Sequence, residues 1–394
     1  MLYLDTIKRV KMKNILLVSL VALVALNSSA QEKVKTYEKG FELTITKDLE
    51  KSSVGNQYKS STCWSFSSNS FFESEVLRLG NEPVDLAEMF IVWNTYMDKA
   101  IRYVRMHGET NFGPGGAFHD MSYVARNYGL MPELAYPGLL KGEEKPVHFE
   151  MDNILKAMVD VVVKNPNKKL SSAWQDAVAG TLDSYLGEKP EKFNYNGKEY
   201  TSQEFAESIG INFDDYVEIG SYSHHPFYEE FIIEIPDNWM NDKIYNVPLE
   251  DLKNIMKNAV ENGYSFAWGA DVSEKGFSWK HGVAVVPEND WNEDERKIQD
   301  SLLSMPITNK VITQEYRQQK FDNYETQDDH GMHITGMAKD EKGNKYYTIK
   351  NSWGETNDAK GYGYASESYM LLKTIDIMVH KDAVPKEIRK KLGF

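Results

Sequence analysis

Gln57-Tyr-Lys-Ser-Ser-Thr-Cys63-Trp64 holds the residue types best suited to making and breaking a bond. A cysteine attacks a carbonyl as its thiolate, and a helix N-terminus favours that form by its positive potential. Phe72, Val76 and Leu79 recur at helical spacing behind Cys63, and Gly80-Asn81 follows, so the spacing predicts a helix from Cys63 to about Leu79. The tetrahedral intermediate needs hydrogen-bond donors. Gln57, six residues upstream, is placed to offer its side-chain amide beside the Cys63 N–H. Trp64 would wedge the helix start into the core. Cys63 is the only cysteine, which excludes an intrachain disulfide and a zinc site built on several cysteines. The bland alternative is an inert, buried thiol acting as a small hydrophobe.

A thiolate nucleophile needs a base of near-neutral pKa and a group that aims it. The turn-forming residues Asp340 to Asn344 separate two strand-like runs, and a hairpin centred on Lys342 sets His333 opposite Asn351. Facing residues have Cβ atoms roughly 4.5–5.5 Å apart, which suits an Asn oxygen accepting from an imidazole. Trp353 is then placed to cover that bond. His281 also precedes a strand-like run but lies too far upstream of Asn351 for one hairpin. His330, beside Asp328-Asp329, is expected in a solvated loop. His224-His225 are adjacent, a poor spacing for two ligands of one metal, and read as a surface turn before Pro226. Gly113-Pro-Gly-Gly lacks a following Lys-Ser/Thr and reads as a turn. No His-Glu-x-x-His and no Gly-x-Ser-x-Gly occurs. No cofactor and no metal site is expected.

These residues need a scaffold of helices and strands. Phe41–Thr46 alternates as a strand, and helices are expected over about Leu86 to Tyr103 and from the Gly113–Gly116 loop to Tyr128. Residues 141–210 change character, being charged, helical in pattern and poor in turn signals, as in an insertion packed on one side of a catalytic domain. Leu249 to Asn262 is a good amphipathic helix, and strands are expected at 229–235, Tyr264–Ala270 and Gly282–Val286. The fold class is α+β.

The first 30 residues stand apart. Lys8, Arg9, Lys11 and Lys13 precede the apolar run Ile15–Leu26, and Ser28-Ser29-Ala30 follows, the order of a secretory signal. A bilayer span takes about 20 residues, so removal of 1–30 is expected, with residues 31–394 as the mature domain in a periplasm or outside the cell. The mature chain has a strongly acidic balance, which disfavours a nucleic-acid partner. The full chain, with 41% hydrophobic residues, has the material for a large core.

Gln57, Cys63-Trp64, a late histidine and Asn351-Ser-Trp353-Gly354 resemble the papain-like cysteine peptidases. The long interval between Cys63 and His333 resembles the bleomycin hydrolase and aminopeptidase C branch. So do Trp93-Asn94, Gly115-Gly116, Tyr128-Gly-Leu-Met-Pro132, Arg317-Gln318 and Gly361-Tyr362. The resemblance spans roughly residues 40–388. It implies a two-lobed fold, a helical lobe plus an antiparallel β lobe with a helical insertion, peptide substrates, and assembly into a homohexamer. It assigns Gln57 to the oxyanion, Cys63 to attack, His333 to base catalysis and Asn351 to orientation, with Trp64 and Trp353 in support. Ser61-Thr62 stand where the family usually has glycine, and the familiar members are cytosolic. Family aminopeptidases run a C-terminal arm into the cleft, and Lys391-Leu-Gly-Phe394 stands about where that arm would start. The expectation is an endopeptidase or relaxed exopeptidase. The alternatives are a strict aminopeptidase or a catalytically inactive peptide-binding homologue.

Overall fold

A computed structural model describes residues 31–140, 142–289 and 303–394. The basic-apolar segment 1–30 lies outside the described residues. Two hydrophobic cores organise the molecule, one helical and one built on a sheet.

The helical lobe is built on the nucleophile helix, Cys63–Arg78, and the helices Glu88–Arg105 and Phe118–Tyr128. Trp64, Phe71, Phe72 and Val76 bury one flank of the nucleophile helix against Phe90, Met121 and Val124. The expected insertion contains helices Phe149–Val163 and Ala173–Leu186, a short helix Ser202–Ser208, and a hairpin of Phe193–Tyr195 with Lys198–Tyr200. The hairpin is the part the sequence reading missed. Its Asn196-Gly197 turn has both residues at positive φ, 49° and 79°, the conformation a tight two-residue hairpin requires. Met151, Leu155, Val159, Val178, Leu182 and Leu186 join the same core as Trp64, so the insertion is a continuation of the helical lobe.

The second lobe is a largely antiparallel twelve-stranded sheet. Its middle runs Tyr216–Gly220, Thr374–His380, Phe266–Ala270, His330–Lys339, Lys345–Lys350 and Tyr362–Ser366, each antiparallel to the next. The helix Leu249–Glu261 packs Leu252, Ile255, Met256 and Val260 onto the sheet core with Trp268, Ile334 and Ile349. Among the described residues no helix is long and apolar enough to cross a membrane.

The hairpin that was to pair His333 with Asn351 forms, but with a bulge. Lys339 faces Lys345 and Gly336 faces Thr348, as a turn centred on Lys342 requires. Between Ile334 and Gly336 the register slips by one, and the Thr335 carbonyl accepts a 2.9 Å bond from the Leu49 N–H. His333 therefore faces Lys350, and Asn351 lies just past the strand end.

Candidate active site

Cys63 is the first residue of its helix, and its thiol is partly exposed in a narrow cleft between the lobes. Its neighbours come from the start of the histidine strand, His330–Lys339. The Gly331 and Trp64 N–H groups both donate toward the sulfur. A Cβ on residue 331 would lie 2.7 Å from Ser67 Oγ and 3.4 Å from Trp64 Cα, so only glycine lets the strand approach the helix this closely. That approach brings His330, the preceding residue, into the cleft with Cys63.

His330, rather than His333, is bound to Asn351. Its Nε2 donates to Asn351 Oδ1 at 2.8 Å, an oxygen that also accepts from the Ser352 N–H at 2.7 Å. With the hydrogen on Nε2, Nδ1 is the basic nitrogen. The Trp353 ring stacks on the His330 ring, centroids 4.7 Å apart and planes 26° from parallel, and is itself held edge-on by Trp279. The cover expected of Trp353 is present, over a different histidine.

His333 is fully buried on the opposite face of the same strand. Lys350 Nζ donates to Ser70 Oγ at 2.7 Å, and Ser70 Oγ is hydrogen-bonded to His333 Nδ1 at 2.9 Å. Ser70 lies seven residues along the helix from Cys63, which is about 10 Å of rise. Burial, then Lys350 and Lys51, hold the His333 imidazole well below its usual range. The bulge and the odd spacing of three residues explain the correction, since residues 330 and 333 of one strand point to opposite faces. The missed signal was Gly331 directly after His330, the same His-Gly pair present at His281-Gly282. His281 is buried with its Nδ1 against Ser278 Oγ at 2.6 Å and its ring edge-on to Tyr37, away from the cleft.

Gln57 is held by Ser352 twice. Its N–H donates to the Ser352 carbonyl at 2.8 Å, and its Oε1 accepts from Ser352 Oγ at 2.6 Å. The Nε2 end of the amide is thereby the end turned to donor duty. The neighbour of Asn351 thus aims Gln57, tying the two halves of the site together. Trp64 is buried, with Nε1 donating to the Pro114 carbonyl at 2.9 Å, and the Gly113–Gly116 loop wraps its ring.

The electrostatics favour a neutral resting pair. Desolvation pushes the Cys63 thiol up to about 12 against the Gly331 and Trp64 N–H groups, and Asp328 and Asp237 add to the rise. The expected depression of the thiol at a helix start is outweighed by burial. The same desolvation holds His330 down to about 4, with the Asn351 bond opposing it.

One metal-ligand cluster occurs among the described residues. Glu234 gathers His224 and His225, with donor atoms within 4.8 Å of one another. The adjacent histidines thus converge after all, because Glu234 folds back over their turn. The cluster contributes nothing to the cleft at Cys63.

A profile of the Peptidase C1-like family matches residues 8–393. The chain belongs to that family. It is a papain-like cysteine peptidase, similar to the aminopeptidases C. Aminopeptidase C of Streptococcus thermophilus is 23% identical over 384 residues, covering 86% of this chain and 83% of the relative. Aminopeptidase E of Lactobacillus helveticus is 23% identical over 382 residues, covering 85% and 82%. The crystal structure of PepW from Lactobacillus rhamnosis superposes with a TM-score of 0.68 at 19% identity, covering 89% of this chain and 84% of that one, and shares the α+β fold.

Proposed function

We propose that this peptidase cleaves peptide bonds with Cys63 as nucleophile, His330 as base, Asn351 as orienter and Gln57 as oxyanion donor. The observation that carries the assignment is that the cleft at Cys63 is lined by His330, whose imidazole is bonded to Asn351. The thiol proton passes to His330 Nδ1 as sulfur attacks the carbonyl carbon. The carbonyl oxygen becomes an oxyanion, met by Gln57 Nε2 and the Cys63 N–H. His330 then protonates the leaving amine, and water, deprotonated by the same nitrogen, releases the acyl group from sulfur. Starting from neutral partners, the proton transfer accompanies attack instead of preceding it. Cys63→Ala should reduce hydrolysis of a peptide reporter to background with the fold intact by circular dichroism. Full activity in that variant would remove Cys63 from the mechanism.

The favoured mode is endopeptidase or relaxed exopeptidase action. In support, Phe394 packs on Tyr245 with ring centroids 5.2 Å apart, and helix Lys386–Leu392 adds no residue to the cleft lining at Cys63. The names of the relatives favour a second reading, a strict aminopeptidase. A peptide library with free and blocked N-termini, read by mass spectrometry, separates the two by whether internal bonds are cut. The basic-apolar-small order of residues 1–30 supports export to a periplasm or beyond. N-terminal sequencing of protein from the fractionated native cell should find a start near Gln31, and an intact Met1 on cytosolic protein would contradict it. A homohexamer follows from the family resemblance alone, and light scattering on the purified protein tests it.

A further inference from the structure

The cleft that exposes Cys63 is walled by carboxylates. Asp237, Asp328, Asp329 and Asp376 line it together with Gly116, Phe118, Gly269 and His330. Most acids of the neighbourhood are answered. Asp329 accepts from the Val272 and Ser273 N–H groups at 2.8 and 3.1 Å. His119 Nδ1 lies 3.1 Å from Glu218. Lys99, hydrogen-bonded to the Gly113 carbonyl, faces Asp120 and Asp237.

Asp328 and Asp376 are not answered. Asp376 is only 4% exposed and opens into the cleft, yet no N–H or hydroxyl among the described residues donates to its carboxyl. Its neighbours are the acids Glu218, whose Oε1 is itself buried without a partner, and Asp328, while the one favourable charge nearby, His119, is bonded to Glu218. The backbone makes room for this carboxylate: a Cβ on Gly269 would lie 2.4 Å from Asp376 Oδ1. The charged neighbours of Asp328 are acids, Asp237, Asp329 and Asp376. Burial, then these acidic neighbours, push both groups well above the usual carboxylate range. Asp376 is buried and Asp328 half-buried, and carboxyls that open into the cleft without a protein donor are free to accept from an occupant.

Resting on the peptidase reading above, we infer that Asp376 and Asp328 form a subsite for a positively charged group of the substrate, an ammonium or guanidinium seated beside Cys63. Geometry argues for this chemistry. The cleft is narrow and lined on one side by these acids, so a group seated in it lies within reach of both carboxyls. Among the described residues, the acids of this cleft do not converge closely enough to form a three-ligand metal cluster. A spread pair of acids suits an organic cation with several N–H donors. A neutral group in the same place leaves both carboxyls unanswered, which is how such a site discriminates. Asp328 also raises the Cys63 thiol, so a cation on it eases formation of the thiolate.

The cation has two possible sources, the substrate's α-ammonium or a basic side chain. Four coumarin-amide reporters distinguish them: leucyl, acetyl-leucyl, acetyl-arginyl-leucyl and acetyl-leucyl-leucyl. The expected result is at least a tenfold advantage in kcat/KM for one cationic reporter over its neutral counterpart. A preference confined to the leucyl pair identifies the α-ammonium, and one confined to the blocked dipeptidyl pair identifies the side chain. Asp376→Asn and Asp328→Asn should each collapse that ratio toward one, and Asp328, on the loop before the strand, guards against a folding failure at buried Asp376. Equal rates on charged and neutral reporters, or an unchanged ratio in both variants, overturns the subsite while leaving the peptidase intact. Calorimetry of leucyl-leucine amide, arginyl-leucine amide and their acetylated forms with Cys63→Ala reads the same preference without turnover. Cationic binding there, lost in Asp328→Asn, sustains the subsite even if no reporter is cleaved. No preference in binding overturns it.

Discussion

At the scale of single residues, the site works by what burial does to a thiol and an imidazole. His330 is held at about 4 chiefly by desolvation, under the stacked Trp353 ring. The base acts as neutral imidazole, which the lowered pKa keeps fully present above about pH 5; activity should be lost as pH falls through about 4. A pH profile of kcat/KM between 3 and 7 should place the acid limb well below the ordinary histidine value of about 6.5. A limb at 6.5 would mean a solvated base. Trp353→Ala should admit water, raise the limb toward 6.5 and slow turnover, because the His330–Asn351 bond loses its cover. Much of this was legible in the chain. Cys63, Gln57, Asn351 and Trp353 stand out by type and order, and the structure surrounds an imidazole with Asn351 and Trp353 as the reading required. The identity of that imidazole was not legible from hairpin symmetry, since symmetry about Lys342 holds only as far as Gly336.

At the scale of elements, one contact matters most, the start of the histidine strand against the start of the nucleophile helix. Gly331 sets its spacing. Gly331→Ala would put a Cβ 2.7 Å from Ser67 Oγ, so strand and helix must separate by a few tenths of an ångström or more. Misplacements approaching 1 Å cost about a hundredfold in rate. Gly331→Ala should therefore lower kcat by roughly tenfold to a hundredfold with little change in thermal midpoint, measured by steady-state kinetics and calorimetry. Unchanged kcat would show that the contact is slack. The helices were legible to within a few residues because their apolar spacing is strong, as over Leu249–Glu261. The bulge at Thr335 was not, because it answers to Leu49, just past the strand Glu42–Asp48 and nearly 290 residues away in the chain, and no local pattern carries that.

At the scale of the whole molecule, the α+β class followed from the expected elements and the two-lobed architecture from the family motifs. Residues 141–210 read as a charged insertion packed on one side of the domain, and Leu155, Val159 and Leu182 are fully buried in the core that holds Trp64. Leu155→Ala should cost about 2–5 kcal/mol of stability, measured by urea unfolding; a change below about 0.5 kcal/mol, the usual scale of a surface substitution, would contradict its place in the core. Both lobes meet at Cys63, so the mechanism turns on which strand residue serves that thiol. The most direct test compares His330→Ala with His333→Gln, the latter able to keep a bond to Ser70, for peptide hydrolysis and for Cys63 alkylation by iodoacetamide. His330→Ala should lose about 10²–10⁴-fold in kcat/KM and slow alkylation in step, while His333→Gln stays within about tenfold of the parent. A folded His333→Gln that is the more damaged of the two would contradict the account.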